Sequence, residues 1–267
     1  MTSNAHGPVL WDVDARGVAT VTLNRPEVNN AYNGAMIDGL LAALDALGQA
    51  KALRAVVLKG NGKHFQAGAD LKWINEVRKS SAEENLRVSR ATAQAVQGLN
   101  FAPVPTVALV QGGCFGGGTG MVAACDVVLA ADNAVFSIAE VRWGLHASII
   151  IPQLADAIAV RQLRRYALTG ERFNADDAAR IGLAHKVVPL AELEAEGARI
   201  VDHLLANGPD AVTQTKSWIL KSAWSDLGKA DFDSLIESHS AKRQSAEATE
   251  GLASFAEKRA GNWTPKG

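Results

Sequence analysis

Gly112-Gly-Cys-Phe-Gly-Gly-Gly-Thr-Gly120 is the stretch on which the reading of this chain turns. Six of the 24 glycines fall inside it. It follows an apolar run, Thr106 to Val110, that reads as a buried strand, and it leads into a short apolar helix expected at Met121 to Cys125. Gly118-Thr-Gly-Met-Val-Ala123 fits the GxGxxA form of a dinucleotide fingerprint. Such a fingerprint begins directly after its strand, whereas Gln111 to Gly117 intervene here. The helix before Asp126 is also shorter than the crossover of about a dozen residues that a parallel strand pair needs. A glycine-rich turn before a helix has another use. The backbone can approach a ligand closely, and unbonded N–H groups at a helix start point toward developing negative charge. Ala67-Gly-Ala-Asp70 is a second turn of this kind. One donor from each turn could hold a single carbonyl oxygen as it becomes an enolate. Two tight turns with no ligand are the alternative.

Working outward, Val9 to Val13 and Val18 to Leu23 flank the turn Asp14-Ala-Arg-Gly17 and read as an edge hairpin. Met36, Ile37, Leu40, Leu41, Leu44 and Leu47 recur at helical spacing, predicting a helix over 34–50. A buried strand is expected at Arg54 to Lys59, a loop at Gly60 to Gly68, and a helix start capped by Asp70. Glu83 to Leu99 reads as a long helix, and Val127 to Ala130 and Val135 to Ser137 as extended segments. From Pro189 the pattern is helical, with candidates at Leu190–Ala206, Asp210–Ser222, Asp231–Ala246 and Thr249–Arg259. The expectation is an α/β core followed by an all-helical tail.

Composition narrows the function classes. The 267 residues carry 27 Lys plus Arg against 28 Asp plus Glu, a net charge of −1, so no broad basic surface is offered to nucleic acid or to an anionic membrane. Two cysteines, Cys114 and Cys125, without a CxxC, point to a reduced cytoplasmic setting. The N-terminus lacks the pattern of a secretory signal, and apolar runs such as Val127 to Ala131 fall far short of the roughly 20 residues that span a bilayer. HExxH, GxSxG and GxxxxGK[ST] are absent, and the six histidines are scattered, so no metal site is expected.

Several short motifs carry a resemblance in order and spacing. They are Asn24-Arg-Pro-Glu27 with Asn30-Ala31, His64-Phe-Gln-Ala-Gly-Ala-Asp-Leu71, the glycine stretch with Ala124-Cys-Asp126, Phe136 to Glu140, and Gly144-Leu145. Leu168-Thr-Gly170, Ala175 to Leu183, Val187-Val188 and Glu250-Gly251 through Trp263 continue the match, so it covers nearly the whole chain. Together they resemble the enoyl-CoA hydratase/isomerase (crotonase) family. The resemblance implies a spiral of ββα units over 1–195, holding the coenzyme A site, and a helical trimerisation region over 196–267. A homotrimer, or a hexamer of paired trimers, is implied with it. No separate cofactor is expected, because coenzyme A is part of the substrate.

The same resemblance implies an oxyanion hole built from the backbone N–H groups of Ala69 and Gly117. It also implies a coenzyme A path along Ala67, Gly68, Ala69, Asp70, Leu71 and Lys72, with Lys258 or Arg259 as further phosphate partners. Family hydratases of the best-known type use two glutamates. The second matches Glu140, while the first falls at Gly120 and is missing. A glutamate in an apolar pocket exchanges protons nearer neutral pH, which suits Glu140 to general acid/base work. The expected activity is hydration of an α,β-unsaturated acyl-CoA. Gly116 to Asp126 and Gly144 to Pro152 are similar to the methylglutaconyl-CoA and isohexenylglutaconyl-CoA hydratase subgroup, although its Pro-Ala pair stands here as Ala147-Ser148. Arg142 or His146 would then meet a substrate carboxylate. A Δ3,Δ2-enoyl-CoA isomerase using one glutamate is the alternative, and a non-catalytic acyl-CoA or RNA-binding member is a third.

Overall fold

The computed structural model describes residues 3–50, 52–224 and 245–265. Its elements repeat a simple unit. Strands β1 (Val9–Val13) and β2 (Val18–Leu23) precede helix α1 (Gly34–Gly48). Strand β3 (Ala55–Gly60) precedes α2 (Leu71–Val77) and α3 (Ala82–Asn100). Strands β4 (Thr106–Val110) and β5 (Gly113–Phe115) precede α4 (Gly117–Ala123). Strands β6 (Val127–Ala131) and β7 (Val135–Ser137) precede α5 (Ile151–Ala157). Helices α6 (Val160–Thr169) and α7 (Ala175–Ile181) flank β8 (Phe173–Asn174), and β9 (Lys186–Val188) ends the sheet-bearing part. Helices α8 (Leu193–Leu205), α9 (Pro209–Trp224) and α10 (Ala246–Ala256) follow. The expected helix at Asp231–Ala246 lies almost wholly outside the described residues.

The first strand of each unit enters a six-stranded sheet of order β1-β2-β3-β4-β6-β9, parallel except for the edge hairpin β1–β2. The later strands form a separate three-stranded sheet, β5-β7-β8. In the second unit Gln66 takes the equivalent place through a bridge to Cys114. Both faces of the large sheet are covered, so its strands read as unbroken apolar runs rather than alternating ones. Val56, Leu58, Ala108 and Val110 face the main core under α1 and α3. Val57, Val107, Leu109 and Leu129 face α8, which buries Leu193, Val201 and Leu205 against them. Each such leucine or valine contributes about 1.5–3 kcal/mol of hydrophobic stabilisation. The expected division between 1–195 and 196–267 therefore runs through a helix whose apolar face belongs to the sheet.

Polar contacts of Lys216 and Arg54 help to tie the helical tail to this body. Lys216 of α9 donates to Val104 O (3.1 Å) and Asp126 Oδ2 (2.6 Å), and the same Asp126 oxygen accepts from the backbone N–H and the hydroxyl of Thr106. Arg54 donates to the carbonyls of Leu205, Asn207 and Trp263. Among the described residues no helix is long and apolar enough to cross a membrane.

Candidate active site

The site is assembled from equivalent turns of successive units. After β2, Tyr32 pairs with Ala69 in a parallel bridge, with its N–H donating to Gly68 O (2.9 Å) and its carbonyl accepting from Asp70 N (2.8 Å). In the second unit, Gln66 N donates to Gly113 O and Gln66 O accepts from Phe115 N. The next turn is locked by Gly116 N donating to Ser137 O at 2.8 Å. Main-chain bonds thus run from Tyr32 through Ala69 and Gly116 to the turn before Glu140.

Local sequence explains each turn. Gly68 sits at φ 91° and Gly116 at φ 51°, conformations that a side chain strains. The Gly68 N–H is satisfied by Gln66 Oε1 at 2.8 Å. Asp70 caps α2 as expected, accepting from Lys72 N (3.0 Å) and pairing with Arg25 (3.3 Å). The helix expected at Met121 begins four residues earlier, at Gly117, because the glycines pack as helix rather than loop. Glu140 opens a 3-10 turn, Glu140–Trp143, that ends at left-handed Gly144.

Two adjoining cavities meet here. One, of about 510 Å3, is lined by Ala67, Gly68, Ala69, Leu71, Phe115, Gly116 and Trp143 among others. The second, of about 360 Å3, is walled by apolar side chains of α1, α2, α3 and α4, with Arg78, Asn85, Ser89, Thr92, His146 and Ser148 among its polar exceptions. Tyr32, Gly117 and Glu140 line both. Glu140 is the one carboxylate among the described residues in either wall. Its Oε2 is buried with no hydrogen-bond partner, and burial raises its pKa above the ordinary glutamate value. Neither the Ala69 N–H nor the Gly117 N–H has an acceptor among the described residues. Unbonded donors beside a desolvated carboxylate suit a reaction in which a proton moves while charge builds on a neighbouring oxygen.

Gly120 closes rather than opens the chamber. A Cβ at that position would lie 2.2 Å from Ile150 Cγ2, so Ile150 fills the place of a side chain there. Of the candidate partners for a substrate carboxylate, His146 lines the smaller cavity, while Arg142 lines neither and packs beside Gly170. Arg78 lines both cavities instead. Lys72 and Asp70 stay outside both walls. Arg259 is held by Glu250 (2.6 Å) and Glu257 (2.5 Å) of its own tail. Reading the sequence did not single out Tyr32, although it directly follows the noted Asn30-Ala31, nor did it assign roles to Ile150 and Arg78.

The enoyl-CoA hydratase/isomerase family model matches residues 14–266. The chain belongs to that family. Pseudomonas aeruginosa AtuE superposes with a TM-score of 0.92 at 34% identity, covering 97% of this chain and 100% of that one. Mevalonyl-coenzyme A hydratase from Aspergillus fumigatus is 32% identical and covers 99% of both chains. Hydroxycinnamoyl-CoA hydratase-lyase from Pseudomonas fluorescens is 34% identical over 75% of this chain and 74% of its own. The last two names share coenzyme A thioester hydration but differ in acyl group. This enoyl-CoA hydratase/isomerase family chain therefore has the crotonase-type fold that its motifs resemble, with a helical C-terminal region.

Proposed function

We propose that this chain adds water across the C2=C3 bond of an α,β-unsaturated acyl-CoA. The observation that carries the reading is the desolvated, unpaired Glu140 carboxylate sharing a chamber with the unbonded Ala69 and Gly117 N–H groups. The N–H pair holds the thioester oxygen as the enolate forms, and Glu140 takes a proton from water and returns one to C2. The pantetheine arm runs along Ala67, Gly68, Ala69 and Leu71 in the larger cavity, and the acyl group enters the smaller one. Arg78 gives that cavity a cationic group and His146 lines it as a further polar side chain, which favours a branched acyl chain ending in a carboxylate, of the glutaconyl type. The helical region from residue 196 is the proposed trimerisation surface.

A second reading, double-bond migration between C3 and C2, is favoured by one observation. Ile150 leaves Glu140 without a second carboxylate to share the work. Incubating 2-enoyl- and 3-enoyl-CoA thioesters in 18O-water separates the two. Hydration puts label on the product oxygen, and migration alone leaves the thioester unlabelled. Glu140→Gln should lower turnover by about 10²–10⁴-fold while leaving coenzyme A ester binding in place. Unchanged turnover would sink the assignment.

A further inference from the structure

Hydration needs a water held beside Glu140, at the junction that borders both cavities. A buried water typically makes about three hydrogen bonds, with two as the lower limit. Glu140 supplies one partner. On the side of α4 the wall is Ile150, seated against Gly120, which offers none. The Ala69 and Gly117 N–H groups are committed to the thioester oxygen in the proposed reaction. Tyr32 remains. Its side chain lines both cavities beside Glu140 and Gly117. Its hydroxyl has no hydrogen-bond partner among the described residues. The ring is fixed from two sides: it meets Trp73 edge-on at 5.7 Å, and a Cβ on Gly117 would lie 2.8 Å from its Cε1 and 3.5 Å from its hydroxyl oxygen. A phenol packed on two sides has less side-chain freedom to lose when it holds a water.

We infer that the Tyr32 hydroxyl is a catalytic residue of the hydration step, holding the attacking water opposite Glu140 in the place that a second carboxylate would otherwise fill. This rests on the hydratase reading. The water gives one proton to the Glu140 carboxylate and its oxygen bonds to C3. The C2=C3 electron pair moves to the thioester oxygen as an enolate, and the same proton then passes from Glu140 to C2. One water is added, Glu140 is restored, and Tyr32 is unchanged. Burial and the neighbouring Glu140 push the Tyr32 hydroxyl up to about 12, so it stays neutral and protonated wherever Glu140 works.

The test separates water attack from enolate formation. Tyr32→Phe keeps the ring and removes only the hydroxyl. Hydration of a 2-enoyl-CoA is measured beside exchange of the C2 proton of butyryl-CoA in D2O, which needs Glu140 and the N–H pair but no attacking water. The expected result is a fall of about ten- to hundredfold in hydration kcat, with exchange falling at least about tenfold less. Retained exchange also shows that the variant is folded. Equal losses in both reactions, or no loss in hydration, would overturn the inference. Wild-type protein that exchanges butyryl-CoA but hydrates no enoyl-CoA would overturn the hydratase reading itself, a result visible before any variant is made.

Discussion

Ile150 stands where any side chain at position 120 would have to go, with its Cβ 2.6 Å from the place of a Cβ there. The two residues are therefore coupled. Gly120→Glu alone forces overpacking of about 1–3 kcal/mol or more and buries a carboxylate. Ile150→Ala alone leaves a cavity costing about 2–5 kcal/mol. Combined, they should cost clearly less than the sum, because the second change makes room for the first. Urea unfolding of the two single variants and the double variant measures the coupling, and strict additivity would contradict the packing described.

Gly116 is bound by conformation and by space. It sits at φ 51° and ψ −121°, and a Cβ there would be 3.1 Å from Glu140 Oε1. Gly116→Ala should cost about 1–3 kcal/mol in stability through backbone strain. It should also lower kcat more than it raises KM, because the displaced group is the carboxylate proposed as the acid/base. Steady-state kinetics beside thermal melting checks both.

Glu140 gives a pH signature. Its folded pKa is raised by burial, so ionising it disfavours the fold. The stability this residue contributes is lost as pH rises from the ordinary value of about 4.3 through the raised one. Glu140→Gln should thus melt higher than wild type near neutral pH, with the gap closing below about pH 4. Activity moves the opposite way: the acidic limb of the kcat/KM profile should fall above the ordinary carboxylate range. Calorimetry across pH and a rate profile test these directions independently.

Lys216 tests how the tail is attached. Its side chain is 8% exposed and Asp126 is 28% exposed. Breaking a buried pair costs about 3–5 kcal/mol, and the partial exposure of Asp126 places Lys216→Met near the lower end. Lys216 touches neither cavity of the site, so kcat per folded molecule should hold.

Much of this architecture is legible in the sequence. The edge hairpin, the strands Thr106–Val110 and Val135–Ser137 and the Asp70 cap stand where local pattern puts them. Helices α5, α6 and α7 were not read, because the first two hold few buried residues and their apolar stripe is short. The start of α4 was missed because glycine carries no periodic signal, although tertiary contacts hold it helical. At the site, Glu140 and the glycine turns announce themselves by residue type. Tyr32 and Ile150 do not, since what matters about them is a neighbour brought close only by folding.

The ladder of turns linking Tyr32, Ala69, Gly116 and the approach to Glu140 is made of main-chain bonds. The proposed reacting groups are positioned by peptide bonds, whereas the smaller cavity is walled by side chains of α1, α2, α3 and α4. The two can diverge separately. Exchange of wall residues would leave that main-chain ladder in place, and the fold tolerates wide exchange: Pseudomonas aeruginosa AtuE superposes with a TM-score of 0.92 at 34% identity.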